Sequence, residues 1–192
     1  MISQVLLKRL RERDPAAIDE VVRAESRQIY RAARGLGFSQ ADAEDVTQDV
    51  LLTFLQTLGR FDGRSSVATW LYGILLNKAR ERRRRDGREE SRDAADQIFE
   101  SWFDERGAWR RPPPDLHRLM ESQALSEALQ RCLDTLPPAI REVFVLRQLE
   151  QLDVDEVCNL LGRTATHLGV QLHRARTRLR ACLSQAGWGS SR

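Results

Sequence analysis

The sequence has no apolar run that approaches the roughly 20 residues a membrane-spanning helix needs, so insertion into a bilayer is not expected. No signal-peptide pattern precedes the first amphipathic stretch, and a cytoplasmic location is expected. Histidines number three and cysteines three in 192 residues. There is no CxxC and no Cys/His spacing suited to zinc, and GxSxG, P-loop and HExxH patterns are missing. The reading is therefore a non-enzyme with no cofactor and no metal. Cys132, Cys158 and Cys182 fall at apolar positions of predicted helices and are expected to be small buried hydrophobes. Period-two alternation is missing as well, which excludes a half-buried sheet as the organising element.

What the chain has in quantity is charge, and the charge is segregated. Charged residues make up 31% of the chain and the net charge is only +3. Residues 78–88, "KARERRRRDGR", hold seven basic and two acidic residues, whereas 39–49, "SQADAEDVTQD", hold four acidic and no basic ones. Blocks of opposite sign suit separate surfaces for separate partners, nucleic acid at the basic ones.

Helical periodicity runs through both ends of the chain. A helix is predicted near 3–12, ending before Asp14-Pro15, and another over 15–35, closed by Gly35 and Gly37. A third, capped by Ser39, carries Val46, Val50, Phe54, Leu55 and Leu58. A fourth, capped by Ser65 or Ser66, turns Val67, Leu71, Ile74 and Leu75 inward. Residues 86–115 lose the periodicity, and "RRPPPD" forbids a continuous helix. Helices resume at 118–135, 138–149, 153–161 and 164–184. The fold class expected is all-α: two small helical domains, 1–86 and 117–187, independent of each other and joined by a long linker, 87–116.

The stretch "LLGRTATHLGVQLHRARTRLRACL", 160–183, holds five arginines and no acidic residue, yet keeps an apolar stripe through Leu168, Leu172, Ala175 and Leu179. The opposite face presents Arg163, Thr166, Val170, His173 and Arg174. Preceded by a short amphipathic helix that stops at Gly162, this outlines a helix-turn-helix. A solvated arginine-rich helix in a small bundle would show the same stripe.

Two longer stretches carry a family resemblance. "DAEDVTQDVLLTFLQTLGRFDGRSSVATWLYGILLNKARERRRR" resembles region 2 of the sigma-70 family in its short extracytoplasmic-function (ECF) form. "LDTLPPAIREVFVLRQLEQLDVDEVCNLLGRTATHLGVQLHRARTRLR" resembles region 4, in the right order and with a long linker between. The resemblance implies a dissociable specificity subunit of RNA polymerase, with core polymerase and promoter DNA as partners. Region 2 would dock on the clamp of the largest subunit through Asp45, Gln48, Asp49 and Phe54. Its loop and following helix (Arg60, Asp62, Arg64, Ser65, Trp70, Tyr72, Asn77, Lys78 and Arg80) would read and melt the minus-ten element. Chemically, an unpaired base needs a pocket or an aromatic face, and its phosphates a cationic track. For Trp70 and Phe61 a place in the core is the competing reading.

Region 4 would dock on the flap of the second large subunit and read the minus-thirty-five element with its basic helix. There Arg174, Arg176 and Arg178 would hold phosphates, beside Arg163 and His173 on the same exposed side. Thr164, Thr166, His167, Val170 and Gln171 would lie towards the bases. The sequence departs from the family where Gly169 and Val170 replace a basic residue and a serine, which makes arginine–guanine pairing doubtful at that step. Many members of the family are held by an anti-sigma factor, often zinc-binding, and one is expected here. Two other classes stay open. One is a helix-turn-helix regulator acting without polymerase, which would not need the "EDVTQD" helix. The other is a degenerate interaction module, which would lack the basic faces.

Overall fold

The computed structural model describes residues 4–85 and 123–188. Among these residues every regular element is helical: α1 (Gln4–Arg11), α2 (Pro15–Gly35), α3 (Gln40–Thr57), α4 (Val67–Arg85), α5 (Gln123–Asp134), α6 (Pro138–Phe144), α7 (Val154–Leu161) and α8 (Ala165–Gln185). The whole predicted linker, 87–116, and the start of the predicted 118–135 helix lie outside the described residues.

Local chemistry sets most of the helix ends. Asp14 caps α2 by accepting from Ala16 N, with Pro15 in the first turn, where its missing N–H costs nothing. Ser39 Oγ accepts from Asp42 N at the start of α3, and Ser66 Oγ accepts from Thr69 N at the start of α4. A reciprocal capping box between Asp153 and Glu156 opens α7, and Gly162, at φ +64°, closes it in a left-handed turn.

In one element the backbone departs from the expected pattern. The predicted 138–149 helix is α-helical only to Phe144, and residues 145–149 form a π-helical turn closed by Glu150 N donating to Val145 O. Val145 and Leu146 are both buried, and the wider turn lets both face the core while Glu150 swings inward.

The two halves also differ from the independent modules expected. A single continuous core runs through both, from Leu10, Ile29, Phe54 and Leu71 to Phe144, Leu146, Val157 and Leu179. Helix α5 packs on α2, α7 on α4, and the π-helical turn on α2. Glycines fit the halves together: a Cβ at Gly35 would fall 2.9 Å from Val145 Cγ2, and one at Gly73 would sit 3.5 Å from Leu160 Cδ2. Gly37, at φ +98°, leaves room for the Arg141 guanidinium. Glycines carry no period-based signal that another part of the chain will pack on them.

Candidate nucleic-acid interface

Helix α3 turns Val46, Val50 and Phe54 into the core and leaves Asp45, Gln48 and Asp49 exposed on successive turns. Phe54 is fully buried and touches Phe61 edge-on at 6.3 Å, so it supports this face from beneath and does not form part of its surface. The apolar side chain that does lie there is Leu52, 55% exposed, seven residues after Asp45 and three after Asp49. Sequence reasoning missed it, although its i+7 spacing from Asp45 places it on the acidic side. At one edge a cleft of about 620 Å³ separates α3 from the end of α4. There Lys78 Nζ lies 3.4 Å from Asp49, and Arg82 pairs with Asp42 at 2.8 Å while stacking over Phe38. The Arg82 bond, with a second from Ser39, holds the Asp42 carboxyl down to about 2.

Beyond the short 3₁₀ turn Leu58–Arg60, the loop keeps Arg60, Asp62 and Arg64 exposed and Ser65 half-buried. Asp62 Oδ1 accepts from Arg64 N at 3.0 Å, the side chains pair at 2.7 Å, and Gly63 turns the chain at φ +79°. Phe61 is core, and Trp70 is half-buried edge-on against it at 5.5 Å. Along α4, Asn77 is exposed. Tyr72, expected as an open aromatic face, is 1% exposed and donates to Glu150 at 2.7 Å. Arg80 pairs with Glu142 at 3.4 Å. The packing of residues 123–188 on α4 is what covers Tyr72 and gives Arg80, whose side chain stays 38% exposed, its partner.

On α8, His167, Thr166 and Arg178 are exposed, while Val170, His173, Arg174 and Arg163 are half-buried. Several side chains expected to meet DNA have structural partners in this arrangement. Thr164 is the N-cap, its Oγ1 accepting from His167 N at 3.3 Å. Gln171 is 8% exposed and accepts from Arg163, which also lies 3.3 Å from His167 Nε2. Arg176 donates twice to Gln148 Oε1, at 2.6 and 3.1 Å. Burial, then the neighbouring Arg176 and Arg180, pushes His173 towards its neutral form. Arg163, Gln171 and His167 thus form one polar cluster at the start of the helix, and Arg174 and Arg178 continue along its length.

The cysteines correct the expectation of inert hydrophobes: Cys132 of α5 and Cys182 of α8 form a disulfide, with Cα atoms 5.8 Å apart, and Cys158 stays free. The two partners are 50 residues apart in sequence, a separation with no recognisable spacing motif. Among the described residues no group of three or more His, Cys, Asp or Glu side chains could hold a metal, and no helix is long and apolar enough to cross a membrane.

Comparison with known proteins decides between the classes left open by the sequence. Residues 21–89 match the family model for sigma-70 region 2, and residues 126–179 match that for sigma-70 region 4. The chain belongs to the sigma-70 family. A probable RNA polymerase sigma factor of Haemophilus influenzae is 33% identical over 162 residues, covering 78% of this chain and 81% of that one. The ECF RNA polymerase sigma-E factor of Escherichia coli K12 is 27% identical over 177 residues, covering 92% and 91%. The fold is shared with the sigma factor RpoE of Bartonella quintana, solved with the anti-sigma factor NepR, at a TM-score of 0.66, 20% identity and coverage of 86% and 96%. This is a sigma factor of the ECF group, a transcription-initiation factor of RNA polymerase and not an enzyme. The reading of a helix-turn-helix regulator without polymerase is set aside.

Proposed function

We propose that this sigma factor docks on the clamp of the largest polymerase subunit through Asp45, Gln48, Asp49 and Leu52. It opens and reads the minus-ten element with the loop from Arg60 to Ser65 and with α4. It reads the minus-thirty-five element with α8 while region 4 rests on the flap of the second subunit. The observation that carries this reading is the exposed acidic face of α3 with Leu52 at its C-terminal end. Charges of one sign around an apolar side chain suit a basic helix that buries one apolar contact, with the rim setting orientation and on-rate. The basic side of α8, opening with Thr166 and His167 and continuing to Arg178, supports the duplex half: phosphate contacts along the helix fix its register and polar groups near its start reach the base edges. Residues 1–86, 87–116 and 117–187 are the proposed functional divisions.

The protein acts in the cytoplasm, where the polymerase is, and an anti-sigma factor holds it inactive, as NepR partners the Bartonella protein. The test is transcription by core polymerase plus the purified protein on a fragmented genomic template, with start sites mapped. Discrete starts sharing two upstream elements are expected. Starts no different from those of core polymerase alone would overturn the proposal.

A further inference from the structure

The opening turns of α8 have no lysine or arginine of their own: residues 164–173 read "TATHLGVQLH". A guanidinium reaches them from the turn before. Arg163 Nη1 lies 3.3 Å from His167 Nε2 and donates to Gln171 Oε1. At about 1.5 Å per residue those two side chains stand about 6 Å apart along the axis, so a group that touches both sits in the second turn, level with Gly169. At about 100° per residue it lies on the flank shared by His167, Arg174 and Arg178, with Gly169 on the other.

The side chain is held at both ends. At its root, Gly162 closes α7 at φ +64°, Arg163 N donates to Cys158 O at 3.0 Å, and Thr164 caps α8. Arg163 is thus the single residue between two caps, which fix its backbone. At its tip stands Gln171, 8% exposed in the same helix as the buried Leu168, Leu172 and Ala175. An amide at a buried position is costly unless it finds a hydrogen bond, and an apolar side chain would avoid that cost. The Gln171 oxygen is accounted for by the guanidinium it receives.

We propose that Arg163 reads a guanine of the promoter duplex through O6 and N7 in the major groove, and that Gln171 is the positioning residue that presents it. This rests on the reading of α8 as the helix that enters the minus-thirty-five element. Arginine forked to O6 and N7 is the commonest specific base contact, and the start of a recognition helix is the part that reaches base edges. A guanidinium has five N–H donors, so the fork is compatible with the Gln171 bond. Holding the side chain in place beforehand lowers the ordering cost that a long, flexible arginine carries on binding. The cation that selects a base therefore comes from the turn, and it works on the flank of α8 opposite Gly169.

The test uses core polymerase with the full chain and a pool of promoter duplexes randomised across the upstream element, the bound fraction being sequenced. Wild type is compared with Arg163→Ala, Arg163→Gln, Gln171→Met and Gln171→Glu, each checked for unchanged helicity. Wild type is expected to select guanine at one position, and 7-deazaguanine there, which lacks the N7 acceptor, should weaken binding about tenfold. Both Arg163 variants should lose the preference at that position and keep the others. Gln171→Met should relax the same preference, and Gln171→Glu, which keeps an acceptor at the same reach, should retain it. An Arg163→Ala protein that binds all duplexes equally less well and still selects the guanine would show a phosphate contact; the proposal would be overturned and the reading of α8 would stand. Selection unchanged in Gln171→Met would overturn the positioning role. A wild type that selects no upstream sequence would bring down the reading of α8 and the proposal together.

Discussion

The hydroxyl of Tyr72 donates to Glu150 Oε2 at 2.7 Å across 78 positions of sequence, joining α4 to the turn after α6. The same carboxylate is pushed up by burial, against the smaller opposing effects of the Tyr72 bond and Arg31. Glu25 of α2 is raised too, by burial first and then by Glu150. Burial raises Tyr72, with Glu150 reinforcing it, so the phenol stays protonated. Gln28 lies 3.5 Å from its hydroxyl and carries no charge.

A pH dependence of the closed form, in which the two halves pack together, follows from these directions. Two carboxyls that hold protons more tightly in the closed form stabilise it fully below their ordinary value of 4.5, and the stabilisation is lost as pH rises through their raised values. The radius of gyration is expected to increase on going from pH 5 to pH 8, with Arg31 limiting the change. Glu150→Gln should flatten the profile. A wild-type radius independent of pH over that range would show that these carboxyls do not govern closure.

On α3, burial and exposure divide the roles. Reversing charge at Asp45 and Asp49 should weaken core polymerase binding about a hundredfold or more, taking about 1.5 kcal/mol or more for each charge pair at an interface. Leu52→Ala should weaken it about tenfold with little change in thermal stability. Phe54→Ala should cost about 3–5 kcal/mol of stability, the range for emptying a buried aromatic site. Pull-down of polymerase and thermal unfolding of each variant check the split. Undiminished polymerase binding by the Asp45/Asp49 variant would remove α3 from the interface.

The disulfide joins α5 to the far end of α8 over 50 residues. In the chain-entropy model a loop of that length contributes about 4 kcal/mol, and measured contributions are commonly about 2–4 kcal/mol. Dithiothreitol should therefore lower the unfolding temperature of the wild type and leave Cys132→Ser unmoved. Equal melting with and without reductant would mean the bond contributes nothing to stability.

How legible this was in the sequence depends on the range of the interactions. Helices whose ends are set within four residues, by Ser39, Asp14-Pro15 or Gly162, could be read directly, because capping is local. Inward stripes such as Leu71 and Leu75 were legible for the same reason. The place of Leu52 on the acidic side of α3 could have been read from its i+7 spacing but was passed over in favour of Phe54. The burial of Tyr72 was not, since the helical period places a side chain on a face but cannot say whether a distant glutamate covers it. Nothing in the sequence marks Glu142, Glu150 and Glu156 as partners of α4, and Gly35 reads as a helix stop. Each takes its meaning from packing between segments whose order in sequence carries no geometric information. The Cys132–Cys182 bond is hidden in the same way.

Gly169 offers the sharpest test of how α8 meets DNA. It lies inside a 21-residue helix, and a Cβ built there meets nothing within 4 Å, so no neighbouring element of the protein requires glycine. Gly169→Ala should therefore stabilise the protein by about 1 kcal/mol, raising the unfolding temperature by about 2–4 °C for a chain of this size. At about 100° per residue, Gly169 lies beside Val170 on the flank away from His167, at the edge of the side where α8 would face a groove. Val170 is half-buried and reaches a thymine C5-methyl only if the helix backbone comes close. Alanine at 169 should hold the backbone away and weaken binding to minus-thirty-five duplex by about tenfold, within the usual cost of one lost base contact. Replacing thymine by uracil in that element should weaken the wild type and affect the Gly169→Ala variant less. A variant that melts higher and binds the duplex as tightly as wild type would show that the glycine has no part in DNA recognition.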